Sequence, residues 1–300
     1  MVYDHIKGIF SPVLTSFDKD GAVYNQGCKN ILDFELPYVN GFFVCGSYGL
    51  GSLMSIDERK HVLELMAGHI NGSRPLIVHV GTPATHTTVE LAKHAQSVGV
   101  DAIAVMPPFF YRHNPENILA HFQAVLDAVD TPVLIYDYPS LSNNPVNLKL
   151  LEQLADLGVV GVKYTSSDFP DFLIKMANLP YEKFTFMIGT EALLLAALSH
   201  GAQACVTGMA NSLPHHLARL YQAILKGNHE QACKLQQTTN KARAIIKRAP
   251  GIVSAYALMH YQGINAGYPR LPFLVLKQED IKSEIKDLEE LGLLPEEEIN

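Results

Sequence analysis

Eight short apolar runs, separated by longer amphipathic ones, restrict what this chain can fold into more than any other feature of it. They cover residues 8–14, 41–45, 76–80, 102–106, 133–136, 159–163, 184–188 and 202–206. Most are apolar at every position instead of alternate ones, the pattern of strands covered on both faces. Helical periodicity fills the gaps at 56–70, 87–98, 115–128, 148–157, 169–177 and 192–200. Ser55 followed by Glu58 reads as a capping box for the first of these, and Asp168 as the N-cap of the helix at 169–177. Strands alternating with helices favour a (β/α)8 TIM barrel over a doubly wound sheet, which shares the same periodicity. Beyond about residue 213 the strand signal stops, and 215–225, 228–247, 252–261 and 277–291 read as helices. The expected organisation is a barrel over 1–213 with a helical extension over 214–300 packed on it, the acidic stretch 295–298 lying in solvent.

With 300 residues, 48% of them hydrophobic, the chain can bury a large core. Its net charge of -7 argues against non-specific attraction to nucleic acid or anionic membrane, so a small molecule is the expected partner. Cys28, Cys45, Cys205 and Cys233 form no CxxC pair and are expected as reduced thiols in a cytoplasmic protein. No run approaches the roughly 20 apolar residues a membrane helix needs, and the N-terminus lacks a secretion signal's pattern. There are 13 histidines but no HExxH, and His215 and His216 are adjacent, so no metal is expected.

Two of the apolar runs end in chemically capable side chains. Lys163 closes the run 158–163, and Tyr136 closes the run one strand-and-helix period earlier. In a barrel, the C-terminal ends of the strands face the active-site mouth. A lysine set there is partly desolvated, which lowers its pKa and leaves free amine to attack a carbonyl. The resulting iminium draws electrons from the neighbouring carbon, and a phenol within reach can relay a proton. Taken singly, a strand-end Lys is usually a snorkelling surface residue; the joint placement is what carries the reading. A third element, Gly46-Ser47-Tyr48-Gly49-Leu50-Gly51, follows the second run. Its glycines permit a tight turn with exposed N–H groups, and the Ser47 hydroxyl adds a donor, so the loop can hold a carboxylate.

Gly46-Ser47-Tyr48-Gly49, Tyr136-Asp137-Tyr138-Pro139 and Gly161-Val162-Lys163-Tyr164-Thr165-Ser166-Ser167-Asp168 resemble, in order and spacing, the signatures of the dihydrodipicolinate synthase and N-acetylneuraminate lyase family. The resemblance extends from Pro12 to the stretch Gly267-Tyr268-Pro269-Arg270. It implies a class I, metal-independent aldolase without a cofactor and usually homotetrameric. Lys163 would be the Schiff-base lysine and Tyr136 the proton relay, with Gly46, Ser47 and the Tyr48 backbone on the pyruvyl carboxylate.

Departures from the family pattern discriminate further. Synthases carry an arginine two residues after the YxxP proline, where this chain has Leu141. The stretch around Tyr136-Asp137-Tyr138-Pro139-Ser140-Leu141-Ser142 is more similar to sialic acid lyases, while Gly49-Leu50-Gly51 is similar to 2-keto-3-deoxygluconate aldolases. The usual second hydroxyl residue is replaced by Tyr48, and the relay phenol by Phe110 unless Tyr111 takes its place. Glu191, after Gly189-Thr190, falls where sialic acid lyases bind substrate hydroxyls, although a helix N-terminal Glu is an equal reading. Thr165 and Thr207 are candidates of the same sort. The leading expectation is cleavage of a 2-keto-3-deoxy sugar acid to pyruvate and an aldehyde, or the reverse, a role in carbohydrate metabolism. The rivals are a synthase-type condensation, a dehydratase using the same imine, and an idle barrel that only binds 2-oxo acids.

Overall fold

In the computed structural model of the protein, which describes residues 5–180 and 182–294, eight parallel strands close into a barrel in sequence order. The strands are β1 Gly8–Ser11, β2 Gly41–Val44, β3 Leu76–His79, β4 Ala102–Val105, β5 Val133–Asp137, β6 Gly161–Tyr164, β7 Thr185–Ile188 and β8 Ala204–Val206. Each expected apolar run supplies one, and β8 pairs with β1 to complete the ring. The acidic stretch at 295–298 lies outside the described residues.

Strand alternation divides the apolar residues into two cores. Phe10, Phe43, Ile77, Ala104, Leu134 and Met187 point inward and fill the barrel. Ile9, Phe42, Val78, Ile135, Val162 and Phe186 point outward against the helices. Each fully buried Phe, Ile, Leu, Val or Met side chain contributes about 1.5–3 kcal/mol, and both faces being covered explains why the strands read as unbroken apolar runs.

The helices are α1 Asn25–Glu35, α2 Ile56–Ile70, α3 Thr85–Val98, α4 Pro115–Leu126, the single turn α5 Pro139–Ser142, α6 Leu148–Leu157, α7 Phe169–Asn178, α8 Leu194–Ser199, α9 Pro214–Leu225, α10 His229–Ile246, α11 Gly251–Tyr261 and α12 Lys282–Glu290. Ser55 and Glu58 form the capping box of α2, and the Asp168 carboxylate caps α7 by accepting from the Asp171 N–H at 3.0 Å. α1 carries no helical signal that the sequence reading registered, because it has no side-chain cap and holds Gly27. That glycine is needed for packing: a Cβ there would fall 2.0 Å from the Ser16 hydroxyl oxygen. α9 follows β8 and packs on β1 and α8, where the eighth helix of a barrel belongs, so the helices that continue past the barrel are α10–α12 and not the whole of 214–300. No helix among the described residues is long and apolar enough to cross a membrane.

At the end of α1 the Glu35 carboxyl is fully buried, and neither oxygen has a hydrogen-bond partner of normal geometry among the described residues. Burial pushes its pKa well above the usual carboxylate range, and the Ser11 hydroxyl opposes this only in part. The folded protein therefore holds a proton that the unfolded chain releases above roughly pH 4.3. Stability attributable to this group falls as pH rises from there to the raised folded pKa. Glu35→Gln is expected to raise the urea midpoint at pH 8 and to leave it nearly unchanged near pH 4. A gain of equal size at both pH values would show that Glu35 is not held protonated.

Candidate active site

Tyr136 and Lys163 are register partners on β5 and β6, so both side chains enter the barrel at one level. Lys163 is 3% exposed, with Nζ 3.6 Å from the centre of the Tyr136 ring and 4.1 Å from that of Phe43. Those ring faces favour an ammonium by about 0.5–2 kcal/mol, but stripping water from the charge costs more. Burial accordingly holds the amine well below the usual lysine range. The nearby Cys205 thiol is itself pushed up by burial, stays uncharged and supplies no counterion.

The Tyr136 hydroxyl is 3.1 Å from the Ser47 hydroxyl, across the mouth from β5 to the loop after β2. Burial raises the phenol's pKa, more than the Ser47 hydrogen bond lowers it, so Tyr136 keeps its proton and can hand it on. His79, inward on β3, meets the Tyr136 ring edge-on at 5.4 Å and is kept neutral by burial. His79 gives no signal in the sequence of the kind that marked Lys163, because its apolar run continues to Val80 and the imidazole does not close it.

The loop carrying Ser47 is tightly wound. Cys45 and Leu50 have φ of 56° and 53°, and a Cβ on Gly51 would fall 2.0 Å from the Cys45 carbonyl oxygen. The Leu50 and Gly51 N–H groups are spent on the carbonyls of Ser47 and Gly46, at 3.2 and 3.1 Å. Those of Ser47 and Tyr48 have no acceptor among the described residues and remain free for a carboxylate. The Tyr48 side chain lies along the wall: a Cβ on Gly208 would fall 2.1 Å from its Cζ, and one on Gly251 2.8 Å from its hydroxyl.

A cleft of about 570 Å³ opens above Lys163 and is lined by Ser47, Tyr48, Tyr136, Thr165, Gly189 and Glu191, all singled out from the sequence. Gly189 makes room for its neighbour, since a Cβ there would fall 2.0 Å from the Thr165 hydroxyl oxygen. Glu191 is 6% exposed; one carboxylate oxygen accepts from Arg243 and the other from the Thr207 hydroxyl at 2.6 Å. Gly46 sits at the root of its loop and does not line the cleft. Tyr111 stands outside the cleft of its own chain, 65% exposed and edge-on to Phe110 at 4.9 Å, so here it does not fill the place of the missing relay phenol. Tyr138, Arg243 and Lys247 line the cleft but were not anticipated.

This arrangement, a neutral amine and a protonated phenol beneath free backbone donors, is matched by relatedness. The sequence matches the Dihydrodipicolinate synthetase family over residues 5–291. The chain belongs to this family. A DapA-like lyase of Halobacterium salinarum is 33% identical over 96% of this chain and 95% of its own length. N-acetylneuraminate lyase of Rhizobium meliloti is 28% identical over 92% of each chain. Among solved structures, CdNal from Clostridium difficile in complex with mannosamine superposes with a TM-score of 0.90 at 26% identity, covering 96% of this chain and 99% of the other. As a member of this family the chain is an enzyme of the pyruvate-dependent lyase class.

The enzyme's buried amine has a cost in stability. Its folded pKa lies below that of the unfolded chain, so between the two values the unfolded state binds the extra proton and stability rises with pH. At pH 7, Lys163→Met is therefore expected to raise the denaturation midpoint while abolishing activity. A lowered midpoint would mean that the amine is charged and stabilised in place.

Proposed function

We propose that the enzyme is a Schiff-base-forming (class I) aldolase that cleaves a 2-keto-3-deoxy sugar acid, of the N-acetylneuraminate or 2-keto-3-deoxygluconate kind, to pyruvate and an aldehyde, and that it also runs the reverse condensation. The observation that carries this reading is the neutral Lys163 amine lying 3.6 Å over the Tyr136 ring, with the Tyr136 phenol hydrogen-bonded to Ser47.

The Ser47 and Tyr48 N–H groups hold the substrate carboxylate and present C2 to Lys163. Nζ attacks C2, the Tyr136 phenol gives its proton so that the carbonyl oxygen leaves as water, and a protonated imine forms. The C4 hydroxyl then gives its proton to the Tyr136 oxygen, deprotonated in the preceding step, the C3–C4 bond breaks, and its electron pair enters the imine to give an enamine. The aldehyde departs. Protonation at C3 and attack by water at C2 return the free amine and pyruvate. In this scheme the imine is the electron sink, so no cofactor is called for. Leu141, where a synthase would place its arginine, is apolar and does not line the cleft, which counts against a synthase-type condensation.

We extend the same reading to a cytoplasmic homotetramer. Phe110 and Tyr111, 77% and 65% exposed, form an aromatic pair of the kind a second copy would cover. Sedimentation of the purified chain tests this: a monomer would contradict it.

Borohydride reduction in the presence of pyruvate is expected to add a pyruvyl group at Lys163 alone, located by peptide mass analysis. An adduct elsewhere, or none, overturns the proposal. Tyr136→Phe is expected to retain trapping but lose about 10²–10⁴-fold in kcat. Release of water without pyruvate from a panel of sugar acids would identify a dehydratase instead. Ligand-induced thermal stabilisation that survives Lys163→Ala, with no turnover by the unaltered enzyme, would identify a binding protein.

A further inference from the structure

The charges lining the cleft do not balance. Its basic side chains are Lys163, Arg243 and Lys247, and its one acidic side chain is Glu191. Lys163 is held as a neutral amine. Glu191 offsets one of the remaining two cations, so one positive charge is left over at the mouth of a chain whose net charge is -7. The carboxylate of a 2-oxo acid does not account for it, because the Ser47 loop on the β2 side provides for that group. Arg243 comes instead from α10, which packs over the turn after β7, and Lys247 is the residue that caps that helix's C-terminal end.

Arg243 is built into place. Its Nη1 donates to Glu191, whose other oxygen takes the Thr207 hydroxyl at 2.6 Å, while the Gln236 amide donates to the Glu191 backbone carbonyl at 2.9 Å. A guanidinium has five N–H donors; the others on Arg243 find no acceptor among the described residues. Lys247 follows four residues on, one helical turn away, and no carboxylate among the described residues lies within ion-pair distance of it. The Arg243 charge adds to burial in lowering the Lys247 pKa, more than Glu191 offsets, which is the signature of a cation short of negative charge. Glu191 thus orients an arginine; with a protein donor on each oxygen, it is poorly placed to serve chiefly as a polyol acceptor.

We infer that Arg243 and Lys247 form an anion subsite, and that the substrate is a 2-keto-3-deoxy acid whose far end carries a second anionic group, a carboxylate or a phosphate ester. This inference rests on the aldolase reading and adds the substrate's chemical class. A planar fork beside a point charge suits either group. The Ser166, Ser167 and Thr190 side chains line the same cleft and suit the hydroxylated carbons between the two ends.

The test compares three substrates that share the 2-keto-3-deoxy core and differ at C6: hydroxyl, carboxylate or phosphate ester, with pyruvate release followed for each. At least one anionic form is expected to show kcat/KM about tenfold or more above the neutral form, and the better of the two identifies the anion. The advantage should shrink as ionic strength rises from about 0.05 to 0.5 M. Lys247→Met, at an exposed position where folding is not at stake, is expected to remove about tenfold of the advantage, chiefly through KM. Arg243→Met should remove more, although it leaves Glu191 without its ion pair. Equal kcat/KM for all three substrates, or an advantage untouched by Lys247→Met and Arg243→Met, overturns the subsite. If pyruvate with borohydride still labels Lys163 in that event, the aldolase reading stands and only the inference falls. If pyruvate does not label Lys163, both fall together.

Discussion

Keeping a lysine amine away from water is the constraint around which this enzyme is arranged. A charged ammonium can be left unpaired in a protein interior only at a cost of several kcal/mol, and titrating it to the neutral form is the cheaper course. Phe43 and Tyr136 supply aromatic walls with no carboxylate among them, so the group stays a nucleophile instead of becoming half of an ion pair. The contrast with Lys175 is instructive. It is equally buried, but lies on the outer face of the sheet 3.3 Å from Asp137 and 2.6 Å from Asp171. Two lysines of similar exposure thus have opposite chemistry because of which face of a strand they meet.

Strand register makes that division possible. Asp137 is the outward neighbour of the inward Tyr136, and burial pushes its carboxyl up to about 6 although Lys175 pulls the other way. The Lys175 link ties the end of β5 to α7, and the Tyr164 hydroxyl donates to Asp171 at 2.8 Å from the outward position next to Lys163. The catalytic pair is held from behind by a polar cluster that itself never reaches the cleft. A functional site supported in this way keeps its geometry without needing each member to be rigid alone.

The barrel was legible because covered parallel strands leave long apolar runs, and Lys163 and Tyr136 were legible because each interrupts such a run at its end. α1 was not, since its sequence answers to packing against Ser16 and not to helix propensity. Nor was the role of α10. Arg243 and Lys247 look in sequence like the solvated face of any surface helix, and only its docking over the β7 side brings them to the cleft. Tyr111 illustrates the converse: an aromatic residue at a suggestive position, which the fold of a single chain leaves on the surface.

Tyr48 occupies space that Gly208 and Gly251 leave vacant, so three distant stretches of chain share one volume. Towards Gly208 such a wall has no slack, so the ring is backed on that side. It also couples the three positions: a smaller residue in place of Tyr48 opens a void, a side chain at Gly208 collides with the ring, and one at Gly251 meets its hydroxyl. That side of the chamber can therefore be reshaped only by compensated changes at more than one of these positions.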